Sequence, residues 1–366
     1  KVYVLVRYKP ISSIVKYLPF KSMKVHDENI VIDLKNLPKN VEVIKTPVWY
    51  IPFGIFNRFL GEAHYKAVQN TIDDWGIKFD IVHCHFLWSS GYVGMKLKEK
   101  YGVPFVVTGH GFDVYQLPFK SKYWKNKITT ILKASDTILT VSEYNKRYLK
   151  ELDFQLDKIK VVHNGFSSKD FCAMSSDQAR KSLGIDNNKR VIVAVGNLER
   201  IKGFDVLVES LKTLNDDDPR VVCFILGGGT EYSSLSSQIK KQGLENKVVL
   251  KGHVPHSSVG KWINACDVLV IPSRRESASV VLLEAIACGK PVVGTRVGII
   301  PEVITSDLYG YICEIEDSDC LSEKINLAMN RKWDTKKIEN LSKEFSWERS
   351  VGKILEEYDK LLKSSF

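Results

Sequence analysis

The sequence of 366 residues has no run approaching the ~20 uninterrupted apolar residues that a membrane-crossing helix requires. Val2–Val6, the longest apolar stretch near its start, is too short for the core of a signal peptide. Seven cysteines are widely scattered and none forms a C-x-x-C pair, which argues against a disulfide frame or structural zinc and for a reducing, cytoplasmic compartment. Twelve prolines and 23 glycines are too few for a fibrous chain, and 44% hydrophobic with 26% charged residues excludes a disordered one. No internal repeat of roughly 20–50 residues is present. Acidic residues are scarce in the first part: residues 1–170 hold 26 Lys+Arg against 16 Asp+Glu, which accounts for all of the net charge of +10. A basic half beside a neutral one suggests two modules with different partners, and an anionic membrane face or an acidic acceptor suits the first. No recognition motif for nucleic acid accompanies the charge.

What is present is a regular alternation. Short β-branched runs, Val2–Val6, Val41–Ile44, Asp80–His83, Pro104–Val107, Thr137–Val141 and Lys160–Val162, are separated by helix-like stretches. A second set follows at Val191–Val195, Val221–Leu226, Val248–Leu250, Val268–Ile271 and Pro291–Val293. Continuous apolar strands between helices are the buried parallel strands of an α/β fold, and two sets predict two doubly wound, Rossmann-like sheets. Phe166–Met174 is polar and patternless, and Ser175-x-x-Gln178 is a capping-box start for the next helix, which Gly184 stops. The expected division is therefore residues 1–168, residues 172–345 and a terminal amphipathic helix within 346–366.

Two clusters carry chemistry. In the first, the strand Asp267–Ile271 ends in Pro272-Ser273, followed by Arg274, Arg275 and Glu276, and then by a helix-like stretch around Glu284. The eight-residue spacing is about two helical turns and lets both acids face the crevice at the carboxyl ends of the strands. Two solvated surface acids are the alternative, but Glu284 stands among Val281, Leu282, Leu283, Ala285 and Ile286, where a carboxylate is rarely buried without a partner. The second cluster, Gly196–Gly203, follows the strand Val191–Val195. Arg200 and Lys202 before a helix start can meet a diphosphate, and a solvated basic turn is the alternative. His110 lies in a Gly-His-Gly turn that allows close backbone approach to a ligand; a core histidine is the other reading.

Other motifs are poorer. Gly227-Gly228-Gly229 lacks the third glycine of a dinucleotide fingerprint, since Tyr232 stands there. Asp216-Asp217-Asp218 precedes Pro219 in a hydrophilic turn, and His83-Cys84-His85 reads as strand-end packing rather than a metal site. Aromatic residues in Pro47–Phe56, and Lys120, Lys122, Lys125 and Lys127 around Tyr123 and Trp124, have the composition of a membrane-interface contact or of a solvated lysine face.

In order, these segments resemble the retaining GT-B glycosyltransferases of family 4. The resemblance rests on the Gly196–Gly203 turn, the strand ending in Pro272-Ser273, the pair Glu276…Glu284, Ala287-Cys288-Gly289-Lys290-Pro291, and Gly298…Pro301-Glu302. Thr108-Gly109-His110-Gly111-Phe112-Asp113 and Val162-His163-Asn164-Gly165 match upstream. The sequence departs from the pattern in three places. Asn197 replaces an arginine, Ser277-Ala278-Ser279 replace glycines, and Arg7–Ile30 lacks the glycine-rich loop.

The resemblance implies two Rossmann-like domains facing across a cleft, with the last helix crossing back to the first. It implies a UDP- or GDP-sugar donor, a glycan or lipid-linked acceptor, retention of configuration and no metal cofactor. Glu276, His110 and Lys202 become the catalytic candidates. Arg200, Asn197, Glu284, Gly252, His253, Ser279, Val280 and Asp113 become substrate-binding ones, with Glu284 on the ribose, Gly252-His253 at the base and His110 near the donor sugar. A nucleotide-sugar epimerase or a non-catalytic nucleotide-sugar binder on the same scaffold are the competing expectations.

Overall fold

A computed structural model of the chain describes residues 1–8, 37–48, 57–152, 157–214 and 218–364. The glycine-poor stretch after the first strand, the aromatic residues 49–56 and Asp216-Asp217 lie outside the described residues. The chain divides into two compact units. One comprises Lys1–Leu139, Leu149–Lys160 and Glu357–Phe366, and the other Thr140–Tyr148 and Val161–Glu356.

In the first unit, β1 (Val2–Tyr8) and β2 (Val41–Pro47) pair in parallel. A separate sheet has the order β3-β4-β5-β6, formed by Val82–His85, Phe105–Gly109, Thr137–Thr140 and Ile159–Val161. β4 and β5 are buried at every position, as their unbroken apolar sequences require in a sheet covered on both faces.

The second unit contains one sheet of six parallel strands: β7 (Arg190–Val195), β8 (Val221–Leu226), β9 (Val248–Gly252), β10 (Val268–Ile271), β11 (Val292–Thr295) and β12 (Gly310–Cys313). Their spatial order is β12-β11-β10-β7-β8-β9. Renumbered from the first strand, this is the 3-2-1-4-5-6 winding of a dinucleotide-type fold, in which the direction of winding reverses between β7 and β10. Alternation along β7 explains its two-sided burial. Val191 and Val193 join Leu269, Leu282, Leu283 and Ile286 in one core layer, while Ile192 and Ala194 join Phe204, Leu207 and Leu211 in the other.

Local signals place the helices. The Ser175 hydroxyl accepts from the Gln178 amide and Gly184 closes the helix Ser176–Leu183 in the left-handed region, as the capping pattern predicts. The helix Val280–Ala287 starts only four residues before Glu284. Ser277–Ser279 stay in the preceding loop, so the spacing from Glu276 is half loop and half helix rather than two helical turns. The last helix runs from Trp347 to Ser364.

Candidate active site

The loops after β7 and β10 meet where the winding of the second sheet reverses, and the loop after β8 lies between the turn after β7 and the end of β9. After β7, Asn197 is exposed and its carbonyl accepts from the Glu199 amide (2.7 Å). A single 3-10 turn, Arg200–Lys202, then leads to Gly203, whose φ of 65° lets the chain enter the helix Phe204–Leu214. A Cβ at Gly203 would stand 2.0 Å from the Pro272 carbonyl oxygen, so the turn after β7 lies directly against the loop after β10.

Side chains join the same two loops. Lys202 Nζ donates to Glu276 Oε1 at 2.5 Å, and the Ser273 hydroxyl donates to the same oxygen at 2.9 Å. Glu276 Oε2 has no hydrogen-bond donor among the described residues. Behind it, Gly298 (φ 55°) lies against the Glu276 backbone, where a Cβ would come within 2.6 Å of the carbonyl oxygen. A buried carboxylate with one oxygen held and one uncommitted, beside an ammonium group, can orient a polyhydroxylated ligand and neutralise an anionic one.

Glu284 is 5% exposed, and its carboxylate makes no hydrogen bond among the described residues. Burial lifts its pKa from the ordinary value near 4.5 to about 7. The group is therefore poised to accept donors from a ligand. Ser279, at the N-terminus of that helix, is buried, and Val280 is partly exposed. Gly252 ends β9 with φ 71°, its carbonyl accepts from the Gly227 amide (2.8 Å), and His253 beside it is exposed. Arg200 is exposed, with Glu316 within its electrostatic reach.

His110 and Asp113 belong to the first unit. His110 Nε2 and His85 Nδ1 are 2.9 Å apart with their rings stacked, and His85 stacks in turn on His83. His83 bonds Thr108 Oγ1 (2.7 Å) and the Tyr358 hydroxyl (2.5 Å). Burial lowers the pKa of His110 to about 4 and of His83 to about 3, so both rings are neutral near pH 7. His83 and His85 share one face of β3, as a period of two demands, while Cys84 is buried on the other. Among the described residues no group of three His, Cys, Asp or Glu is arranged to hold a metal ion.

Asp113 is tied to the backbone of its own unit. Its carboxylate is buried and accepts the amides of Leu87 (2.8 Å), Gly111 (2.8 Å) and His110 (3.2 Å). It organises the loop that presents His110. Two residues at these sites escaped the sequence reading, His85 as the partner of His110 and Arg274 as a tie between the loops after β7 and β10. An H-x-H on a strand, with its two histidines on one face, was the available signal for the first. For the second there was none, because its partners are remote in sequence.

Residues 175–345 match the family described as glycosyl transferases group 1, and residues 26–169 match glycosyltransferase family 4. A glycosyltransferase of Methanocaldococcus jannaschii is 28% identical over 94% of this chain and 96% of its own. The N-acetyl-alpha-D-glucosaminyl L-malate synthase of Bacillus anthracis is 27% identical over 67% of this chain and 64% of its own. Among solved structures, Anabaena HepE in complex with UDP superposes with a TM-score of 0.73 at 21% identity, covering 87% of this chain and 86% of that one. A glycosyltransferase from Rickettsia africae superposes with 0.77 at 20% identity, over 99% of both chains. The fold shared with these structures is GT-B, built from Rossmann-like domains.

Proposed function

The chain belongs to the family 4 glycosyltransferases, hexosyltransferase-type enzymes, and from that premise we propose that it transfers a sugar, with retention of configuration, from a UDP- or GDP-sugar to a glycan or lipid-linked acceptor. The observation that carries this reading is the Lys202–Glu276 pair at the winding reversal of the second sheet, beside the turn that bears Arg200. The structural neighbour HepE was solved with UDP, which favours a uridine donor for testing first.

In the proposed reaction the bond between sugar C1 and the diphosphate oxygen breaks, the acceptor oxygen bonds to C1, and the acceptor proton passes to the departing phosphate oxygen. Positive charge grows on the sugar and negative charge on the diphosphate. Fixed cations are the appropriate catalyst for the second, and Lys202 and Arg200 are assigned to it. Glu276 orients the sugar hydroxyls through its uncommitted oxygen and faces the developing cation. Glu284 accepts the ribose hydroxyls, and the Gly252-His253 backbone borders the base. Asn197, Ser279 and Val280 line the donor end of these loops. On the first unit, neutral His110 is assigned to a sugar hydroxyl. No resident metal is assigned a part.

We place the enzyme in cell-surface polysaccharide or glycoconjugate synthesis, peripheral on the cytoplasmic face of a membrane. No described helix is long and apolar enough to cross one. The first unit exposes Phe112 (48%) and Phe119 (44%) near Lys120 and Lys122, and Lys120 Nζ lies 4.7 Å over the Phe112 ring. Exposed aromatics interleaved with lysines suit an anionic interface. Incubation with UDP- and GDP-sugars, with release of free nucleotide and the anomeric configuration of the product read by NMR, tests the proposal. Turnover of none of them, or an inverted product, contradicts it.

A further inference from the structure

Arg274 stands two residues before Glu276 in the loop after β10, yet most of its bonds go elsewhere. Its amide donates to the Ile201 carbonyl (2.9 Å) and Nη1 to the Arg200 carbonyl (2.7 Å), so two consecutive carbonyls of the turn after β7 are held by one residue. Nη1 and Nη2 grip both oxygens of Asp205 at 2.7 and 2.8 Å. Nη2 also reaches Glu316 Oε2 (2.8 Å), and Nε donates to Glu316 Oε1. The guanidinium has five N–H groups, and these bonds use all five. Arg274 is not a ligand donor in waiting.

The partners give the arrangement its meaning. Asp205 occupies the first turn of the helix Phe204–Leu214, where the helix dipole attracts an anion. Left alone, its carboxylate competes for that position with any incoming diphosphate. Glu316 is a second acid close to Arg200, and it holds a φ of 65°, a left-handed conformation uncommon for a residue with a Cβ. A strained glutamate whose side chain is fully spent on one arginine is a sign that the surroundings fix it there.

We propose that Arg274 is a positioning residue for donor binding. It sets the Arg200–Lys202 turn in its diphosphate-binding shape and neutralises Asp205 and Glu316, which would otherwise repel the diphosphate. This inference rests on the nucleotide-sugar reading above and adds to it a residue that touches no substrate.

Calorimetric titration with UDP and UMP, and with GDP and GMP in parallel, tests it. The ratio of diphosphate to monophosphate affinity reads the phosphate turn apart from the rest of the nucleotide site. In Arg274→Gln the affinity for the diphosphate falls by about tenfold or more while that for the monophosphate moves little, so the ratio drops. Arg274→Lys, which keeps the charge and loses the fork, falls between and also serves if the glutamine variant does not fold. Adding Asp205→Asn and Glu316→Gln to Arg274→Gln restores part of the ratio, a recovery that a merely structural role would not produce. Binding by the unaltered protein with an unchanged ratio in folded Arg274 variants overturns the inference and leaves the donor reading standing. Absence of binding of either diphosphate to the unaltered protein overturns both.

Discussion

Lys202 Nζ and Glu276 Oε1 stand 2.5 Å apart, although 74 positions separate them, and their contact fastens the turn after β7 to the loop after β10. The two strands lie next to each other in the sheet at the point where its winding reverses, which is where open α/β sheets bind their ligands. Both side chains are largely withdrawn from solvent, which sets the pair apart from the exposed ion pairs of the surface.

Removing either partner should separate binding from chemistry. Lys202→Ala is expected to lower kcat by about 10²–10³-fold, the usual cost of losing one fixed charge stabiliser, with a smaller change in KM. Glu276→Gln should retain the contact with Ser273 and still lose most turnover. Steady-state kinetics with the preferred nucleotide sugar checks both.

Glu284 predicts a pH dependence of donor affinity. Its pKa near 7 in the free protein comes from burial, and ribose hydroxyls donating to its carboxylate favour the ionised form. Affinity for the nucleotide should be greatest above pH 7 and fall as pH drops below it, by up to about tenfold per unit. Glu284→Gln should bind more weakly at pH 8 and lose this slope, as titrations across pH 5.5–8.5 (about three units) would show. The stability of the ligand-free protein runs the other way. A raised folded-state pKa stabilises most fully below the ordinary value near 4.5, and that contribution is lost as pH rises through about 7.

Gly203 admits no side chain. With φ at 65° and the Pro272 carbonyl oxygen 2.0 Å from where a Cβ would be, Gly203→Ala must both strain the backbone and push the loops apart. A loss of at least about 1–2 kcal/mol of stability is expected, with weakened nucleotide binding, measured by denaturant unfolding and calorimetry.

The basic face of the first unit predicts salt-sensitive membrane association. Co-sedimentation with vesicles containing anionic lipid should fall as salt is raised, and Lys120→Glu with Lys122→Glu should reduce it further. Binding indifferent to salt, or none, contradicts the peripheral placement.

The sequence made much of this legible, and its limits have physical causes. Strands such as β8 and β10 announce themselves because a parallel strand covered on both faces must be apolar throughout. β12 carries no such signal, because it opens on Gly310 and, as the edge strand of its sheet, is only partly buried in its middle. The pair Glu276…Glu284 was visible, but where the helix begins depends on how Ser277–Ser279 settle against the core. The Arg274 bonds to Asp205 and Glu316 span 69 and 42 positions, and His85 finds His110 25 positions away. Such pairings are set by which strands become neighbours, so a local pattern such as H-x-H marks at most one partner and never names the other.

The central claim, that the turn after β7 and the loop after β10 bind the diphosphate of a nucleotide donor, is tested most directly by thermal unfolding with UDP or GDP in large excess. A ligand at about one hundred times its Kd should stabilise the unaltered protein by about 2.7 kcal/mol, and the same concentration should do far less for Lys202→Ala. An unmoved midpoint with both nucleotides, or an equal rise in the variant, would contradict it.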